Sequence, residues 1–201
     1  MNPKILLFLS ITILLITNSC VYYVGDFTNE ELKWVKPFNN NQTIIFISEK
    51  DEIDTIVFKK YKRSKETVNH LERGFYTTNH LEIPYEFTKK SYHQFYFDGN
   101  MASEQDLVTI EKSSAGFGGM GISFIGLLFD EDGIKKAKKI NTKTYRFDRS
   151  YSISNSVDVR NGIKNFTFNT DIGIVNYTDE RNVKWIRKYK PATNNLTRFG
   201  F

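Results

Sequence analysis

The chain has 201 residues, of which 40% are hydrophobic, 15% aromatic and 25% charged, with a net charge of +5. Those proportions exclude a disordered chain, a collagen-like chain and a protein of many membrane spans. One cysteine excludes a disulfide framework or a thiolate metal cluster, three histidines leave little for a histidine-rich metal site, and so mild a surplus of charge need not mean nucleic acid.

Residues 1–19 read MNPKILLFLSITILLITNS. Lys4 supplies a short positive start, and Ile5 to Ile16 form an apolar run broken only by Ser10 and Thr12. That run is too short for a bilayer-spanning helix of ~20 residues and suits the apolar core of a secretory signal peptide. At its end stands Thr17-Asn18-Ser19-Cys20, with a small residue directly before the only cysteine of the chain.

This layout resembles the signal of a bacterial lipoprotein, of a relaxed type similar to that of Bacteroidetes, with Thr17 where the usual motif prefers Leu. The resemblance covers residues 1–20 and implies that Cys20 becomes the lipidated first residue of the mature chain, carrying palmitate or similar acyl groups. Each buried CH₂ contributes about 0.8 kcal/mol, so one acyl chain holds marginally and two or more hold stably. Lipidation consumes the only thiol and with it any cysteine nucleophile. The resemblance also implies a cell-envelope location. The outer membrane facing the periplasm is favoured, since Val21 stands where the inner-membrane retention signal has Asp.

The mature chain reads as a lipidated N-terminus and tether over 20–42, a single β-rich domain over 43–189 and a flexible tail over 190–201. Asn29–Lys36 is a short amphipathic stretch ended by Pro37. Thr43–Ser48 and Ile53–Phe58 are β-branched and aromatic runs separated by a polar turn, which predicts a hairpin. Phe75–Thr78 and Tyr92–Phe97 are further aromatic stretches, and Pro84 predicts an edge strand or a break. Leu107–Glu111 and Gly121–Phe129 look like partner strands across a glycine-rich connection. In IKKAKKI, Ile134, Ala137 and Ile140 recur with helical spacing. Strands are expected again at Thr144–Phe147, Ser150–Ser154, Val157–Val159, Gly162–Phe168, Ile172–Tyr177 and Val183–Tyr189, the last two joined as a hairpin. The predicted class is mainly β: an antiparallel sheet, sandwich or open barrel with one or two short helices. The run from Asn165 to Trp185 also resembles a recurrent ending of uncharacterised Bacteroidetes secreted proteins, which implies fold and origin but no catalytic residue.

Candidate chemistry is sparse. Gly116-Phe117-Gly118-Gly119-Met120-Gly121 lacks the Gly-Lys-Ser/Thr of a phosphate loop and precedes a strand rather than a helix. It reads as a flexible hairpin connection, or as an apolar loop (Phe117, Met120, Phe124) that touches membrane or a partner. Lys135, Lys136, Lys138 and Lys139 form a basic run that suits a solvated face or an anionic surface. His70, His80 and His93 lack the spacing of a zinc site, and there is no nucleophile elbow. No catalytic residue, cofactor or metal is expected. The resulting expectation is a non-enzymatic binding or accessory module anchored by acyl chains on Cys20. Its partner would be an envelope protein or a lipid, and not nucleic acid. The alternative is a lipid- or lipoprotein-handling open β-barrel of the periplasm.

Overall fold

A computed structural model describes residues 24–38, 41–70, 74–87, 95–97, 100–102, 104–116, 118–153 and 162–189. In chain order they form α1 (Asn29–Leu32), β1 (Gln42–Ser48), β2 (Ile53–Phe58), β3 (Lys62–His70), β4 (Gly74–Phe87), β5 (Phe95–Phe97), β6 (Asn100–Ala102) and β7 (Glu104–Ser113). Then follow β8 (Gly118–Phe124), β9 (Leu127–Phe129), α2 (Glu131–Lys136), β10 (Lys138–Lys139), β11 (Thr144–Asp148), β12 (Ile163–Asn169), β13 (Gly173–Asp179) and β14 (Lys184–Arg187). The protein is mainly β: one open antiparallel sheet curls into a half-barrel, with two short helices. The strand order is β10-β11-β12-β13-β14-β1-β2-β4-β7-β8-β9, with β3 attached to β4, while β5 and β6 form a separate hairpin.

Alternation gives the sheet its inner face, because side chains at every second position point to the same side. β1 buries Ile44, Phe46 and Ser48, and β2 buries Asp54, Ile56 and Phe58. The interior is aromatic: Phe147 stacks on Phe166 at 4.8 Å, and Phe124 meets Phe166 edge-on at 5.3 Å. The terminal hairpin forms as expected, with Tyr177 opposite Trp185 in register and the two rings stacked at 5.7 Å.

Several expectations need correction. Gly121–Phe129 is not one strand: Ile125 (φ 45°) and Gly126 (φ 77°) make a two-residue turn, and Phe124 pairs with Leu127. Positive φ at both positions is the geometry that matches strand twist in a tight hairpin. Pro84 neither breaks β4 nor lies on an outer edge. It sits at a bulge where β4 exchanges β3 for β2 as its neighbour, and its carbonyl accepts from the Lys59 amide at 2.8 Å. The helix of IKKAKKI stops at Lys136, where Ala137 turns to ψ 130° and Lys138–Lys139 pair with β11, leaving Ile140 exposed. Of the expected strand Ser150–Ser154, the described residues 150–153 do not form a strand of the sheet; a 3-10 turn over Arg149–Tyr151 leads to Ile153, whose amide donates to the Leu128 carbonyl on the edge of β9. Val157–Val159 and the 190–201 tail lie outside the described residues.

The largest correction concerns the tether. Phe27, Trp34, Val35 and Phe38 are all buried in the core, so the segment from Val24 to Phe38 belongs to the domain. A capping box starts it: the Thr28 hydroxyl accepts from the Glu31 amide and the Glu31 carboxylate accepts from the Thr28 amide. Trp34 then packs against Tyr145 at 4.9 Å and Phe168 at 5.3 Å, and Phe38 against Phe58 at 4.7 Å.

Candidate functional site

The N-terminal segment crosses one end of the half-barrel without filling it. Between α1, the β7–β8 hairpin, α2 and β11 remains an open mouth of about 860 Å³. Its floor is apolar, made by Ile110, Met120, Ile134 and the edges of Trp34 and Tyr145. Met120 reaches the floor because it shares the inward face of β8 with Ile122 and Phe124.

The rim carries both signs of charge. Lys112 pairs with Glu31 at 2.9 Å and also donates to the Asp26 carbonyl at 3.1 Å, clamping α1 to β7. Burial alone would push the Glu31 carboxyl up, but its bonds from Lys112 and Thr28 outweigh that and hold it below the usual carboxylate range. Glu30 is lowered chiefly by its hydrogen bond from Lys33, with Lys139 adding a smaller effect across the mouth. The Lys33 ammonium lies 5.4 Å from the Trp34 ring and 5.8 Å from the Tyr145 ring. Glu111, Glu131 and Lys135 complete the charged rim.

The structure distributes the residues picked out by sequence unevenly. Met120, Lys135 and Lys139 line the mouth, whereas Lys136 and Lys138 are exposed but are not part of it. Phe124 is not on a surface loop. It is fully buried at the inner end of β8, with its ring against Tyr85, Phe166 and Tyr177. Cys20 and Phe117 lie outside the described residues, as does His93. His80 is partly exposed on β4, with its Nε2 3.1 Å from Glu82.

The glycine-rich connection is tight where it enters β8. Gly118 has φ +124°, and a Cβ there would stand 2.4 Å from the Glu111 carbonyl oxygen. Sequence reasoning missed Trp34, Tyr145 and Lys112, which come from three distant segments. The available signal was Thr28-x-x-Glu31 just ahead of Leu32 and Trp34, a helix start followed by residues that have to be covered.

A second polar cluster sits inside the sheet. The Tyr177 hydroxyl donates to Asp54 at 2.7 Å. Asp179 accepts from Arg181 at 2.9 Å, the Val183 amide at 2.9 Å and the Trp185 indole at 3.2 Å, while Arg181 also reaches Glu52 at 3.1 Å. These bonds satisfy buried groups and fix the β13–β14 turn. Among the described residues no helix is long and apolar enough to cross a membrane. Comparison with protein-family models, curated proteins and solved structures finds no match to this chain.

Proposed function

We propose that this protein is a membrane-anchored lipoprotein of the cell envelope that acts as a non-enzymatic binding module. The observation that carries the binding role is the mouth of the half-barrel, with its apolar floor and its rim of mixed charge. Such a site takes an inserted apolar side chain surrounded by polar groups of both signs, the chemistry of a protein partner. The alternative, acyl-chain handling inside a barrel, is less favoured because Phe46, Phe58, Phe124 and Phe166 fill the interior with no exposed surface. The anchor rests on the layout of residues 1–20, with Cys20 at the end of the apolar run.

Photo-crosslinking in the native host tests this reading. A benzophenone residue replaces Met120 in the mouth or Ile186 on the exposed outer face. The expected result is a discrete crosslinked envelope protein from position 120 alone, weakened by Lys139→Glu on the rim. Identical products from both positions, or none from position 120, would contradict a partner site in the mouth.

A further inference from the structure

We infer that the wing formed by β3 and the outer half of β4 is the face this domain lays on an anionic lipid surface. The inference rests on the lipoprotein reading and adds to it an orientation.

The path of residues 24–26 bounds where Cys20 can lie. The Val24 amide donates to the Thr77 hydroxyl at 2.7 Å, the Asn79 amide group reaches the Gly25 carbonyl at 3.5 Å, and Arg63 pairs with Asp26 at 2.8 Å. Arg63 faces Leu81 in register, so the segment runs along β4 from Thr77 toward Leu81. The described chain therefore starts at the Thr77 end of that path. From Cys20 to Val24 is four Cα steps, which span at most ~14 Å. Thr67 of β3 lies directly opposite Thr77, so a lipid on Cys20 keeps this part of β3 within that reach of the membrane surface.

The chemistry of the wing matches that position. Lys62, Arg63 and Lys65 lie on β3 and Lys59 and Lys60 in the connection that leads into it, all within seven consecutive positions, with Glu66 the one acid that follows directly. Tyr61 to Thr67 are all exposed, so β3 presents both of its faces, and beyond β4 no strand among the described residues pairs with it. Among the described residues, Lys60 and Lys65 have no acidic partner, while Lys62 pairs with Glu82 and Lys59 with Glu86. Tyr61 and Phe75, each 48% exposed, supply amphipathic or apolar rings of the kind that settle at a membrane interface. Edge lysines also discourage strand-to-strand aggregation, but that role needs no neighbouring anchor. The α2 region competes poorly: its four lysines share 130–139 with Asp130, Glu131 and Asp132, and Lys135 is paired with Asp132.

The test uses the chain expressed from its full gene, purified from membranes and placed in vesicles. One set is phosphatidylcholine alone and the other is equal parts phosphatidylcholine and phosphatidylglycerol. Hydrogen exchange reads the free-edge amides of residues 62–69, and the mass of the N-terminal peptide reads the acyl group on Cys20. Each basic residue near an anionic surface is worth about fivefold in binding, so exchange across β3 is expected to slow by about fivefold or more in the anionic vesicles. The variant Lys60→Gln/Lys62→Gln/Lys65→Gln should abolish the slowing, and Lys135→Gln/Lys136→Gln/Lys138→Gln should leave it. Equal exchange in both vesicles, with Cys20 acylated, overturns the orientation and leaves the lipoprotein reading standing. Slowing that the second variant removes and the first does not also overturns it, as does equal slowing in neutral vesicles, the mark of pairing between two copies. An unmodified Cys20 overturns the lipoprotein reading itself.

Discussion

Trp185→Ala is the sharpest test of the packing that closes the sheet. Trp185 has no exposed surface, its ring stacks on Tyr177 at 5.7 Å and its indole donates to Asp179 at 3.2 Å. Truncating a fully buried Trp costs about 3–5 kcal/mol for the lost transfer energy and the cavity, and the aromatic pair adds ~1 kcal/mol. The lost indole bond adds little, since Asp179 keeps Arg181 and the Val183 amide. At about 2–4 °C per kcal/mol for a domain of this size, the melting temperature should fall by ~10 °C or more. Trp185→Phe keeps a stacked ring and should cost about 1–2 kcal/mol, mostly for the reduced volume. Differential scanning calorimetry of the three proteins at neutral pH decides the matter. An Ala shift under about 3 °C, near the effect of one lost kcal/mol, would show that Trp185 does not close the core.

Three further outcomes follow from the same geometry. Gly118→Ala should cost at least ~1–3 kcal/mol by denaturant unfolding, because its φ of +124° and the Glu111 carbonyl leave no room, whereas Gly119→Ala should be near neutral. Tyr85→Phe leaves the buried Ile125 amide without the hydroxyl it meets at 2.9 Å, which should cost about 1–3 kcal/mol by the same assay. Burial pushes the Asp179 carboxyl up, but Arg181, the Val183 amide and the Trp185 indole outweigh it and hold it below its ordinary value. A lowered folded-state pKa gives stability that is complete above the unfolded value near ~3.9 and is lost as pH falls through the folded one. Arg181→Gln should therefore melt below the parent protein at neutral pH, and the gap should narrow as pH falls below ~3.9; a gap independent of pH would contradict this assignment.

The parts of the fold legible in the sequence are those where periodicity and burial coincide. β1, β2 and the closing hairpin each carry apolar residues on one face, so pattern alone locates them. β3 has no such face: Lys62 to Thr67 stand in solvent on both sides, and the strand is held by its ladder with β4 rather than by a core. The GISFIGLLF run defeats pattern reading for the opposite reason. Both arms of its hairpin and Ile125 in the turn are largely buried, so the turn shows no polar residue. Trp34 and Phe38 look like tether residues until the half-barrel supplies the surface they cover. The mouth depends on that long-range packing and could not be drawn from local sequence, although Met120, Lys135 and Lys139 were within view.

The proposed membrane anchor and the orientation inferred from it both depend on the state of Cys20. Intact-mass analysis of the protein isolated from cell membranes tests it directly. The expected species is a chain that begins at Cys20 and is heavier than its polypeptide by two or three acyl groups with the glyceryl linker, and it should disappear in Cys20→Ala. A membrane-isolated chain with residues 1–19 still attached, or one cleaved elsewhere with an unmodified Cys20, would contradict the anchor.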